Sequence, residues 1–161
     1  MNINWCAENK KSHSIHQLML TKLCTYFEKG TYNEKKESLS LLQQHCIENK
    51  SYFGSIRIPK FTFDCHDLQI LLQIEFIHGV QLHRYDVKTS GVVIRDLIRN
   101  KSDYGFSDFT ECNILRMTPL NRLSGAKAHT SGELAYVDLE SYGKHSSEYR
   151  MTKFRKQVNY V

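Results

Sequence analysis

The sequence predicts an α+β fold in which an N-terminal helical hairpin precedes an α-β-α-α-β-β unit. Three observations lead there. Apolar residues recur at helical spacing twice in the first fifty positions, and short alternating runs separated by turn residues fall late in the chain. With 161 residues, 40% of them hydrophobic and 11% aromatic, the chain is also long and apolar enough to bury a core.

Ser12 caps the first expected helix, whose residues Ile15, Leu18, Met19, Leu23, Tyr26 and Phe27 share one face before Gly30 ends it. A second helix is expected from Asn33 to Asn49, with Leu39, Leu42, Cys46 and Ile47 inward. Ile56, Ile58, Phe61 and Phe63 alternate about Pro59, which suits an edge strand or extended connector, because proline cannot donate to a ladder. The division expected is therefore a helical hairpin over 1–50, a connector over 51–63 and a second unit over 64–161.

In that second unit Asp64 caps a helix carrying Leu68, Ile70, Leu71, Leu72, Ile74 and Ile77, apolar almost all round and hence buried. Gly79 stops it, and Val80 and Leu82 alternate as a short strand. Thr89 or Ser90 caps a helix that closes at Asn100, and the residues from Lys101 to Phe106 form a turn. Ser107 caps the next helix, with Phe109, Cys112, Ile114 or Leu115, and Met117 inward. Leu134 to Leu139 and Glu148 to Thr152 then read as paired strands around the tip Ser141 to Ser146.

A net charge of +5 and a pI near 8.9 favour an acidic partner, and the surplus gathers in Lys144, Arg150, Lys153, Arg155 and Lys156. Five cysteines without a CxxC pair, and an N-terminus without signal-peptide character, lead us to expect reduced thiols and a cytoplasmic protein. The longest apolar run, Leu68 to Ile77, is interrupted by Gln69, Gln73 and Glu75 and is too short for a bilayer. No membrane association is expected.

The order of elements from Asp64 to Phe154 resembles the winged helix-turn-helix superfamily. Ser107-Asp-Phe-Thr110, Ile114-Leu-Arg116 and Ser147-Glu-Tyr-Arg-Met-Thr-Lys153 are similar to its recognition-helix and wing-strand segments. The resemblance implies a supporting helix over 89–100, a recognition helix over 107–117 and a wing over 141–146. It implies a DNA-binding regulator of transcription, with Ser107, Thr110, Asn113 and Arg116 in the major groove of double-stranded DNA. Lys144, His145, Arg150, Lys153, Arg155 and Lys156 would hold phosphates. The helical hairpin would supply a homodimer contact. The alternative is a non-catalytic module, an inhibitor or adaptor, that binds a protein partner through the hairpin or the winged-helix surface.

Neither metal nor cofactor is expected. Cys65, His66, His78 and His83 match no finger, and adjacent Cys65 and His66 would point about 100° apart on a helix. There is no Walker loop, GxGxxG, GxSxG or HExxH, so no catalytic residue is assigned. An enzyme would need a polar pocket gathering His66, His78 or His83 with Asp64, Asp67 and Glu75.

Overall fold

A computed structural model describes residues 3–12, 15–82, 97–98, 102–110, 113–118 and 133–159. The chain opens on two antiparallel strands, β1 (Ile3–Ser12) and β2 (Ile15–Thr25), where a first helix was expected. The reason lies in which residues β2 buries. Leu20, Lys22, Cys24 and Tyr26 turn toward the core, while Met19 and Leu23 lie on the other, half-covered face. A lysine inside and apolar residues outside erase the period of two, and the leftover spacing imitates a helix.

Helix α1 (Lys29–Glu48) follows, one turn longer at its start than expected, with Leu39, Leu42 and Cys46 buried. Ile47, expected inside, is 70% exposed. The expected helical hairpin is therefore a β-hairpin followed by a single helix, so the helical face to which a homodimer or protein contact was assigned is not formed.

Strands β3 (Tyr52–Phe53) and β4 (Ile56–Arg57) form a tight hairpin in which Gly54 adopts φ 58°. Next come β5 (Phe61–His66) and β6 (Gln69–Glu75), where a buried helix from Asp64 was expected. Their two-residue turn places Asp67 at φ 46° and Leu68 at φ 62°, the left-handed pair that matches strand twist in a tight hairpin. Ile70, Leu72 and Ile74 point inward at a true period of two. Leu71, 36% exposed, fills an outward position and gives the segment its all-round apolar look.

These strands make one antiparallel sheet in the order β1-β2-β6-β5. A second sheet, β3-β4-β10-β9-β7, adds β7 (Gly79–Gln81), β9 (Ile114–Met117) and β10 (Leu134–Tyr136). Within it β10 runs parallel to β4 and antiparallel to β9. A small third sheet pairs β8 (Tyr104–Gly105) with β11 (Gly143–Lys144). The last element is helix α2 (Ser147–Asn159), which Ser146 caps by accepting the Tyr149 amide at 3.1 Å.

The winged-helix expectation fails at its two defining parts. Residues 107–110 are coil and 114–117 are strand, so the expected recognition helix is not formed. The expected wing strand over Glu148 to Thr152 lies inside α2, and β10 pairs with β9 and β4 instead. Of the helix expected over 89–100 only Leu97 and Ile98 are described, helical and buried; the rest lies outside the described residues.

One apolar cluster runs through both large sheets and both helices, from Leu39 and Leu42 on α1 through Ile70 and Tyr136 to Phe154 on α2. Arg150 of α2 is fully buried and donates to the carbonyls of Leu97, Ser102 and His145 at 3.3, 2.8 and 3.1 Å. Gly105 makes room for it, since a Cβ there would strike the Arg150 guanidinium. Gly105→Ala should therefore cost about 1–3 kcal/mol by overpacking, read as a lower urea midpoint at unchanged slope.

Candidate active site

The pairing of β9 with β10 decides what meets at the end of the second sheet. Ile114 pairs with Tyr136, so the residues flanking them, Asn113 and Val137, continue the ladder, with the Val137 amide donating to the Asn113 carbonyl at 3.0 Å. One residue further on, Asp138 turns its carboxylate to the Asn113 side chain, whose Nδ2 donates to Asp138 Oδ2 at 3.2 Å. The same amide nitrogen lies 3.2 Å from Thr110 Oγ1 and 3.5 Å from the Asp108 carbonyl.

Asp108, five residues before Asn113, sits in a loop held from several directions. Buried Tyr136 donates its hydroxyl to the Asp108 carbonyl at 2.6 Å. Gln157 of α2 accepts the Phe109 amide at 2.7 Å and donates to Asp108 Oδ1 at 3.0 Å. The Thr110 amide donates to that same Oδ1 at 3.2 Å. Ser107 bonds Ser141 through both its amide and its hydroxyl. These polar groups are spent on neighbouring segments, which is why Ser107 starts no helix.

The first sheet contributes Lys22 from the middle of β2, buried and paired with Glu140 of the short 3-10 turn Leu139–Ser141. Burial pushes the Lys22 ammonium below its usual range, while Cys24 and Asp138 push it back up. Burial likewise raises the Asp138 carboxyl, with Asp108 adding to the rise and Lys22 and Lys35 opposing it. Three carboxylates, a carboxamide and a buried ammonium thus converge where the two large sheets meet. Opposed charges shifted by desolvation make this cluster the candidate site.

Of the residues expected to bind DNA, Asn113 and Thr110 belong to this cluster and Ser107 braces it. Arg116 is exposed on β9 and Lys144 on β11. His145 stacks on Tyr149 at 5.3 Å, and burial together with Lys35, Arg150 and Lys153 holds its imidazole below the usual range. Arg150 is sealed in the core, out of reach of any phosphate backbone. Lys153, Arg155 and Lys156 lie along α2, the first half-buried and the others exposed.

The grouping of histidines weighed for an enzyme or a metal is not formed. His66 is exposed beside Asp67, His78 packs edge-on against Phe76, Glu75 pairs with Arg57, and His83 lies outside the described residues. Among the described residues no three His, Cys, Asp or Glu side chains form a group that could hold a metal ion by themselves, and Cys24, Cys46 and Cys65 are free thiols. Burial pushes the Cys46 thiol up to about 11, which keeps it protonated and unreactive. No described helix is long and apolar enough to cross a membrane.

Sequence reasoning missed Lys22, Asp108 and Asp138. A signal for two of them was present. Asp108 precedes Asn113 by five residues just before the apolar run Ile114-Leu115, and Asp138 stands between Val137 and Leu139 after a second apolar run. Lys22 had none, because one lysine in an apolar segment is common on helix surfaces.

No family model and no curated protein sequence matches the chain. Among solved structures it is similar to WbdD crystallised with the kinase inhibitor LY294002, at 12% identity and a TM-score of 0.49, over 97% of this chain and 36% of that one. A second WbdD structure, described as a bifunctional kinase-methyltransferase, matches at 14% and 0.47 over 91% and 34%. The GDP and kanamycin complex of APH(2'')-IIIa matches at 8% and 0.47 over 99% and 75%. The chain spans about a third of the length of WbdD. With the recognition helix and wing both missing, the expectations of a transcription regulator, of double-stranded DNA as partner and of a chain without catalytic residues are withdrawn.

Proposed function

We propose that this chain transfers a phosphoryl group from a magnesium-bound nucleoside triphosphate to a hydroxyl acceptor. The observation that carries the reading is the Asn113 amide held on the Asp138 carboxylate, with Asp108 five residues upstream and Lys22 buried opposite. Protein kinases use the same four roles: an Asp in a D-x-x-x-x-N loop takes the acceptor proton, its Asn and a second Asp hold the metal, and a strand lysine holds phosphates. Asp108 and Asn113 stand at the D-x-x-x-x-N spacing, and Asp138 and the strand lysine Lys22 would take the other two roles. The chain departs from the pattern in having Phe106-Ser107 before Asp108, Leu139-Glu140 after Asp138, and no glycine before Gly30.

The donor set suits a hard divalent ion. Asp138 supplies the carboxylate oxygen, and Asn113, donating to it through its amide nitrogen, orients that carboxylate. Magnesium binds through one or two such groups and the substrate's own phosphates, so no third protein ligand is required. Held by Asp138, such an ion would supply positive charge against the charge that builds during transfer. Asp108 offers Oδ2 to the acceptor hydroxyl, since the described hydrogen bonds to its carboxylate go to Oδ1. Lys22 pairs with the phosphates from the opposite sheet.

The test is incubation with γ-labelled ATP and magnesium, following ATP turnover and label transfer to a panel of hydroxyl-bearing acceptors. Wild type should turn over ATP only with a divalent ion present, and Asp138→Asn should lose roughly 10²-fold or more in that metal-dependent rate. Metal-independent turnover, or an unaffected Asp138→Asn variant, would remove the reading.

A further inference from the structure

The phosphoryl-transfer reading leaves the partner of Lys22 to be explained. In protein kinases the strand lysine is paired by a glutamate on the helix that follows it, and the placement of that helix sets activity. Here α1 occupies the corresponding place after β2, yet its inward face reads Lys35, Leu39, Leu42, Cys46, while its acids Glu34 and Glu37 are exposed. The helix presents a cation where an anion would be needed.

We propose that Glu140, two residues beyond Asp138, is the positioning residue for Lys22, and that Lys35 of α1 clamps the Glu140 segment in place. Glu140 forms the ion pair with Lys22, both side chains being largely buried. Lys35 Nζ donates to the Glu140 carbonyl and to the Tyr142 carbonyl, the latter at 3.2 Å. Ser141 between them bonds back to the Asp138 carbonyl at 3.2 Å and receives Ser107.

The consequence is a site in which the phosphate-holding lysine and the metal-holding aspartate are fixed by one short segment, not by a mobile helix. In this arrangement the ion pair forms wherever Asp138 is in place, and α1 acts as a brace. A helix carrying Lys35 cannot be the element whose approach completes the pair, because its charge repels Lys22. Lys22 and Lys35 therefore both act on Glu140, the first at its carboxylate and the second at its carbonyl.

That last point gives the experiment, which rests on the phosphoryl-transfer reading and separates from it. ATP affinity is measured with a fluorescent nucleotide and magnesium, and KM and kcat from ATP turnover, with thermal melting to confirm folding. Glu140→Gln should weaken nucleotide binding and lower kcat/KM by roughly 10- to 100-fold, as misplacement of a reacting group does. In a Lys22→Met background the same change should add almost nothing, since Glu140 acts through Lys22. Lys35→Met should give a smaller loss of the same kind and should add little to Glu140→Gln, because Lys35 acts through the segment that carries Glu140. Full activity in folded Glu140→Gln, additive losses with Lys22→Met, or an unaffected Lys35→Met variant would each overturn the inference while leaving the phosphoryl-transfer reading standing. A folded wild type that binds no nucleotide would overturn both.

Discussion

Asp108→Asn should lower kcat by roughly 10²- to 10⁴-fold while leaving magnesium-ATP affinity within about threefold of wild type, because general-base contributions act on the chemical step. The substitution is close to isosteric, so the loop keeps its shape. The Asp108 carbonyl, which Tyr136 and Asn113 hold, is untouched, and the Phe109 amide still reaches Gln157. The side-chain oxygen of asparagine can still accept the Thr110 amide and Gln157 Nε2 that now meet at Oδ1. The loss is confined to Oδ2, the atom available to take a proton, which becomes an amide nitrogen that cannot. Steady-state kinetics with ATP varied at saturating magnesium separates this from Glu140→Gln, whose effect lies in KM as well. An Asp108→Asn variant with wild-type kcat would show that proton transfer uses another group or none.

The contrast between what the sequence revealed and what it hid follows from where polar residues are buried. Helix α1 was legible because its inward stripe at 39, 42 and 46 is apolar and its outer face is polar, so periodicity and burial agree. Strand β2 was not, because Lys22 sits on the buried face and Met19 and Leu23 on the other. The lysine that hid the strand is the residue the site needs, an instance of local pattern failing where function overrides it. Strand β6 was misread for a milder reason, the outward Leu71, and the loop over 107–110 because Ser107 has the chemistry of a cap but spends it on Ser141. Arg150 misled in the same way: it looked like a phosphate contact but is fully buried, holding three carbonyls. The candidate site was half visible, in the spacing of Asp108, Asn113 and Asp138. What one sequence could not supply was the pairing of β9 with β10 that brings the last two into contact.

Arg57→Met should destabilise the fold by about 3–5 kcal/mol, the cost of stranding one member of a buried ion pair. Arg57 and Glu75 are each 3% exposed, with Arg57 Nη2 on Glu75 Oε1 at 2.8 Å and Nη1 on the Ile58 carbonyl at 2.6 Å. Glu75 Oε1 also accepts the Lys60 amide at 3.0 Å. Removing the guanidinium leaves a carboxylate in the core with one backbone donor for company. The double variant Arg57→Met with Glu75→Leu should recover most of the loss, falling short by about 1 kcal/mol for the Lys60 amide left without its acceptor. Urea denaturation of the two singles and the double measures the coupling directly, and additive losses would show the pair to be energetically idle. The position of the pair gives it a second role. Glu75 ends β6 in the sheet that carries Lys22, and Arg57 lies in β4, beside the β10 strand that leads to Asp138. The ion pair therefore ties together the two sheets whose residues must converge on one triphosphate. Where the double variant regains stability, its nucleotide turnover should stay below wild type, because apolar side chains restore burial without restoring the register between the sheets.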